Sequence, residues 1–129
     1  MKLLGVIEGF YGPPWTAPQR DRLFGRMTVW GLDTYLYAPK DDLWHRQCWR
    51  EPYPPQQAQA LADLAEGARR RGIRFVYALS PGLDLDWTSE DDRAALTSKF
   101  LQVAALGVAD FALLFDDIPY SDDRAAQAR

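Results

Sequence analysis

The chain has 129 residues, 47% hydrophobic and 13% aromatic, with a formal net charge of −3 at pH 7. That length suffices for one domain-sized core, and the acidic balance argues against nucleic acid as a partner. Cys48 is the only cysteine, which excludes an internal disulfide and a cysteine-based zinc site. Apolar runs are too short to span a bilayer, and Glu8 interrupts the apolar start before a signal-peptide core can form. We therefore expect a cytoplasmic protein without a membrane partner.

Strands and helices alternate in the predicted secondary structure. Four apolar runs rich in β-branched and aromatic residues indicate strands, at about residues 3–7, 34–38, 74–79 and 111–115. Their alternation with helices predicts right-handed βαβ units and a parallel sheet. Four such units fit either half of an eightfold barrel or a small doubly wound sheet, and spacing alone does not distinguish the two.

Each predicted helix has recognisable start and stop signals. Thr16 with Gln19 three residues later is typical of a capping box at the start of the first helix. The second helix begins near Pro55, and Ser89 with Asp92 opens the third. A glycine closes each helix in the left-handed conformation that favours this residue. The three are Gly31, Gly72 and Gly107.

Polar and charged residues follow each predicted strand at the point where it ends. They lie at residues 8–12, 39–42, 80–82 and 116–117. In a parallel sheet the carboxyl ends of the strands form one rim, where binding and catalysis gather. Asp116 and Asp117 are the most informative of these residues. Two carboxylates at the end of a buried strand cost free energy unless they are hydrated, paired with other groups or employed in binding or catalysis.

The residues alone leave three kinds of chemistry open at this rim. Adjacent carboxylates suit general acid–base catalysis, because their closeness raises the pKa of one of them. A metal site is the competing use, but His45 is the only histidine and its neighbours Arg46 and Trp49 make a poor ligand set. A Schiff base at Lys40 is the third, although its sequence neighbours offer no apolar pocket to lower its pKa.

Four segments resemble a known enzyme family. They read GVIEGFYGPPW, TYLYAPKDDLWHRQCWREPY, FVYALSPGLD and FALLFDDI. In this order they are similar to the start of the catalytic domain of glycoside hydrolase family 84, which contains protein O-GlcNAcases and bacterial β-N-acetylglucosaminidases. The resemblance runs from about Leu4 to about Pro119. It implies a (β/α)8 TIM barrel, of which residues 1–129 form the N-terminal half, with four parallel strands alternating with helices.

The resemblance also assigns roles to individual residues. Asp117 matches the general acid/base of the family, and Asp116 matches the residue that orients the 2-acetamido group of the substrate. Gly9, through its backbone carbonyl, and Lys40 match positions that hold sugar hydroxyls, and Tyr11 is a further candidate. The implied reaction is hydrolysis of terminal β-linked N-acetylglucosamine by substrate-assisted retaining catalysis. It needs neither a metal nor another cofactor, and its substrate is an N-acetylglucosamine-bearing glycoconjugate or glycoprotein.

The chain departs from the family in length. A complete barrel takes about 250 residues and eight strands, so we expect residues 1–129 to be an incomplete or inactive fragment that self-associates through its open sheet edges. Two alternatives stay open at this point. One is a non-catalytic remnant that binds sugar or serves in interactions, and the other is an unrelated barrel enzyme that depends on a metal or on a Schiff base.

Overall fold

The computed structural model describes residues 4–9, 13–81 and 85–114 of the chain. Within them, strands and helices alternate as predicted. The elements are β1 Gly5–Glu8, α1 Ala17–Trp30, β2 Thr34–Tyr37, α2 Pro55–Arg70, β3 Arg74–Leu79, α3 Glu90–Ala105 and β4 Asp110–Leu113. The last strand begins one residue earlier than predicted, and residue 115 lies outside the described part.

The helix ends confirm the signals read from the sequence. Thr16 Oγ1 accepts a hydrogen bond from the Gln19 backbone N–H at 3.3 Å, and Gln19 Oε1 accepts one from the Thr16 N–H at 2.8 Å. At α3 the Ser89 hydroxyl makes one cap hydrogen bond, accepting from the Asp92 N–H at 3.2 Å. All three glycine stops have positive φ. No helix among the described residues has the length and apolarity that crossing a bilayer requires.

Strand order decides between the two sheet architectures. The four strands pair in parallel in the order β1-β2-β3-β4, so each strand lies beside the one that precedes it in the chain. In a doubly wound sheet the strand order reverses at a switch point, so some strands that are consecutive in sequence are not neighbours in the sheet. The α/β fold is therefore that of the N-terminal half of a (β/α)8 barrel, as the resemblance implies.

The two faces of the sheet have different neighbours. Tyr35 and its register partner Phe75 lie on the helix-covered face, where the Phe24 ring of α1 meets Tyr35 edge-on at 5.1 Å. Ile7 and its register partner Leu36 lie on the opposite face, which in a closed barrel is the interior. The Ile7 side chain is 68% exposed there. This face carries the apolar side chains expected of a barrel core.

β1 lies very close to β2 at Gly5. A Cβ at this residue would overlap the carbonyl group of its register partner Thr34. We expect Gly5→Ala to lower the free energy of unfolding of the intact protein that contains this chain by about 1–3 kcal/mol, because β1 must move away from β2. Urea denaturation measures the difference.

Gly67 provides the matched control for this substitution. It lies inside α2, and a Cβ there meets nothing within 4 Å. Alanine is the better helix former, so Gly67→Ala should raise the unfolding free energy by about 0.5–1 kcal/mol. Equal effects of the two substitutions would contradict the close strand approach at Gly5.

Candidate active site

The carboxyl ends of the strands lie along one edge of the sheet, as the parallel register requires. The Ala38 N–H donates to the Glu8 carbonyl at 2.9 Å, which extends the β1–β2 pairing to this edge. The Leu114 N–H donates to the Leu79 carbonyl at 2.8 Å and does the same for β3 and β4. The residues that directly follow the strands therefore leave the sheet at this edge.

Two of the predicted site residues are described, and both lie at this edge. Gly9 directly follows β1 and Lys40 lies three residues after β2; both are half-buried. A Cβ at Gly9 would come within 3.3 Å of Ile7 Cγ2, which is closer than an ordinary van der Waals contact. Tyr11, Asp116 and Asp117 lie outside the described residues, and their roles stay predictions.

Glu8 forms a buried ion pair at the end of β1. Its side chain is fully buried and accepts hydrogen bonds from Arg20 Nε and Nη2 at 2.8 and 2.7 Å. The Tyr35 hydroxyl and the Trp15 backbone N–H, the latter at 3.3 Å, also donate to it. Burial is the largest single influence on Arg20 and opposes its charge. The hydrogen bond to Glu8 and the charges of Glu8, Tyr35 and Tyr37 together outweigh it and raise the pKa of the guanidinium. The pair joins α1 to β1 directly before Gly9.

Asp42 is a second buried carboxylate, in the loop that carries Lys40. It accepts hydrogen bonds from the Tyr37 hydroxyl, from the Tyr53 hydroxyl at 2.8 Å, and from the backbone N–H groups of Trp44 and His45 at 2.9 and 3.1 Å. In the sequence, Asp42 belongs to the polar residues 39–42 that follow the second predicted strand at the rim. The structure places it among four donors, where it organises the loop.

Burial keeps the hydroxyls around Asp42 protonated. It is the main cause that raises the pKa of Tyr37 and of Tyr53, and the nearby Asp42 charge raises both further. A protonated phenol donates a hydrogen bond, so the two hydroxyls remain donors to the carboxylate. The sequence signal for these buried acceptors is the tyrosine pair on β2, because each buried hydroxyl needs an acceptor: Tyr35 donates to Glu8 and Tyr37 donates to Asp42.

His45 fastens the same loop to β3. Its Nδ1 lies 2.5 Å from the Ala78 carbonyl oxygen and its backbone carbonyl accepts from the Ser80 N–H at 2.9 Å. The ring is fully buried, and Nε2 has no hydrogen-bond partner within the described part of the chain. The Nδ1–H tautomer of the neutral ring satisfies the carbonyl, so His45 acts as a neutral donor.

The burial of His45 predicts a stability that depends on pH. Burial lowers the pKa of His45 below its usual 6.5, with Lys40 and Arg46 acting in the same direction and the Ala78 carbonyl and Asp42 opposing them. The unfolded chain therefore binds a proton at His45 at a pH where the folded chain does not. We expect the stability contributed by neutral His45 to be present above about pH 6.5 and to be lost as the pH falls below it.

Urea denaturation of the intact protein at pH 7.5 and at pH 5.5 measures this loss, with His45→Asn as the matched variant. Asparagine keeps a donor for the Ala78 carbonyl but does not titrate in this range. The unchanged protein should lose more stability between the two pH values than His45→Asn. Parallel losses would show that His45 already binds its proton in the folded state.

Comparisons with known proteins agree with the resemblance seen in the sequence. A family model described as beta-N-acetylglucosaminidase matches residues 4–129. The Protein O-GlcNAcases of Rattus norvegicus and Mus musculus are each 50% identical to the chain over 119 residues, which is 92% of this chain and 13% of each relative. A solved structure of a mutant Thermobaculum terrenum O-GlcNAc hydrolase is similar, with a TM-score of 0.89 and 38% identity, over 99% of this chain and 28% of that chain. The chain thus spans a small part of the relatives it matches.

Proposed function

Since the chain belongs to the β-N-acetylglucosaminidase family, glycoside hydrolase family 84, we propose that it forms the first half of a catalytic barrel that hydrolyses terminal β-linked N-acetylglucosamine. The observation that carries this proposal is the family match over residues 4–129, which includes Asp116 and Asp117. The strand order supports it, because it brings Gly9 and Lys40 to the edge toward which β4 runs. Family membership argues against an unrelated enzyme that depends on a metal or a Schiff base.

The proposed mechanism uses the substrate's own acetamido group as the nucleophile. Its carbonyl oxygen attacks the anomeric carbon as the glycosidic bond breaks, and a protonated oxazoline (an oxazolinium ion that keeps the N–H) forms. Asp116 accepts a hydrogen bond from the acetamido N–H, which makes that oxygen more nucleophilic. Asp117 donates a proton to the leaving oxygen and then takes one from the incoming water, which opens the oxazoline with net retention.

The mechanism gives a physical reason for two acids that are adjacent in sequence. Neither acid has to reach the anomeric carbon from the opposite face of the sugar ring, since the acetamido group does so. Gly9 and Lys40 would hold hydroxyls of the same sugar, the first by its backbone carbonyl and the second by its ammonium group. An N-acetylglucosamine-bearing glycoprotein or other glycoconjugate is the proposed substrate, and the cytoplasmic location stays a prediction.

The test is an assay of the intact protein on two matched aryl glycosides. One is an aryl β-N-acetylglucosaminide and the other is the aryl β-glucoside, which has a hydroxyl in place of the acetamido group. We expect hydrolysis of the first only, with the β-anomer as the first product in a proton NMR time course. Hydrolysis of both glycosides at similar rates, or initial release of the α-anomer, would contradict substrate-assisted retention. No hydrolysis of either would favour the non-catalytic remnant.

A further inference from the structure

Lys40 lies in a tight turn whose closing residue is Asp42. The Asp42 backbone N–H donates to the Pro39 carbonyl at 3.1 Å, so Lys40 and Asp41 are the two central residues of the turn. The conformation of a turn depends on where its two ends are held. Pro39 lies two residues after the end of β2, and Asp42 is held through its side chain.

The Asp42 carboxylate joins the turn to two strands. Tyr37, on β2, donates to it directly, and Tyr53 donates to it at 2.8 Å from the far end of the same loop. The Tyr53 hydroxyl also lies 2.9 Å from that of Tyr77, the register partner of Tyr37 on β3. The carboxylate therefore fixes the closing end of the turn relative to β2 and β3 together.

The remainder of the loop is fastened independently of Asp42. Lys99 of α3 donates through Nζ to the Trp44 carbonyl at 3.0 Å and to the Glu51 carbonyl. Arg50 pairs with Asp92 at 2.7 Å. These ties hold residues 44–51, and loss of the Asp42 contacts would therefore release the Lys40 turn while the rest of the loop stays attached.

We propose that Asp42 is the positioning residue for Lys40: its buried carboxylate fixes the turn from which Lys40 contacts the sugar hydroxyls. The inference rests on the proposed function, which supplies the role of Lys40. A carboxylate suits this position because it accepts from all four donors, whereas asparagine turns an NH2 group toward at least one of them. Asp42→Asn should thus loosen the turn without changing the size of the side chain.

The test is a double-substitution cycle in the intact enzyme, with KM and kcat measured on an aryl β-N-acetylglucosaminide. Lys40→Ala alone should raise KM by about tenfold and change kcat little, since it removes one charged hydrogen bond in substrate binding. Asp42→Asn alone should raise KM by a smaller factor. In the Lys40→Ala background, Asp42→Asn should leave KM unchanged while it still lowers the melting temperature.

Two further variants keep the test decisive. Tyr53→Phe removes one of the four donors to Asp42 and should give a small rise in KM that also vanishes in the Lys40→Ala background. It replaces Asp42→Asn if that variant fails to fold. Asp92→Asn is the matched control, because it alters another buried carboxylate, which lies on α3 and pairs with Arg50 of the loop. It should lower the melting temperature and leave KM unchanged.

The outcomes separate the two proposals. Hydrolysis by the unchanged protein tests the proposed function. Given an active protein, multiplicative effects of the Lys40 and Asp42 substitutions on KM would overturn the positioning role. A KM that neither Asp42→Asn nor Tyr53→Phe changes would also overturn it, as would a KM that Lys40→Ala does not change.

Discussion

Asp117→Asn is expected to lower the turnover of alkyl glycosides by the intact enzyme by roughly 10²–10⁴-fold, the usual contribution of a general acid. The reason is that asparagine cannot give a proton to the leaving oxygen. Aryl glycosides with strongly acidic leaving groups need no such proton, so their first step should keep most of its rate. Measuring kcat/KM across a series of aryl leaving groups shows the difference as a steeper dependence on leaving-group pKa in the variant. Equal losses on all substrates would contradict the proposed general-acid role of Asp117.

Asp116→Asn serves as the contrast within the same pair. If Asp116 orients the acetamido group, its replacement weakens the nucleophile itself. Every substrate should then slow by a similar factor, whatever its leaving group. The two variants thus differ in the slope of the leaving-group series. Unaltered rates in Asp116→Asn would remove this residue from the mechanism.

Glu8→Gln is expected to destabilise the intact protein by about 3–5 kcal/mol, as is typical when one partner of a buried ion pair is removed. Arg20 would lose both of its hydrogen bonds to a charged acceptor, and its own side chain is only 14% exposed. The uncompensated guanidinium would have to remain buried or move α1 away from β1. Urea denaturation gives the change in unfolding free energy.

Glu66→Gln is the control for this loss. Glu66 pairs with Arg69 and Arg70 on the exposed face of α2, one turn apart. Surface pairs of this kind contribute only about 0.3–0.5 kcal/mol, because water screens them. A loss in Glu8→Gln no larger than that in Glu66→Gln would show that the Glu8–Arg20 pair is solvated rather than buried.

The secondary structure could be predicted from the sequence because its signals are local. Thr16 and Gln19 are three residues apart and hydrogen-bond to one another, so a short stretch of sequence is enough to predict the start of α1. The order of the strands is different, because it depends on which elements meet after the chain has folded. A barrel and a doubly wound sheet both satisfy the βαβ pattern. The structure distinguishes them through the unbroken order β1-β2-β3-β4, in which β2 pairs with β3 and β3 pairs with β4.

The position of the rim could be predicted from the alternation of strands and helices, but the roles of its acidic residues could not. Glu8 and Asp42 both follow predicted strands, as a catalytic residue would, and their burial becomes evident only when the donors around them are known. Those donors come from distant parts of the chain: Arg20 and Tyr35 for Glu8, and Tyr53 for Asp42. The roles of Asp116 and Asp117 rest on resemblance to a family, since no local rule tells a general acid from a carboxylate that positions a substrate.

The pairing of each strand with its immediate predecessor bears on how this protein is synthesised. Register partners lie roughly 30–40 residues apart, and a ribosome adds about 5–20 residues per second. Each nascent strand therefore reaches a waiting edge within seconds of leaving the exit tunnel, without a search through the remainder of the polypeptide. Until the next strand arrives, the newest edge is the surface at which neighbouring nascent chains can join. Translational pausing between two strands would lengthen that interval and should increase aggregation during expression.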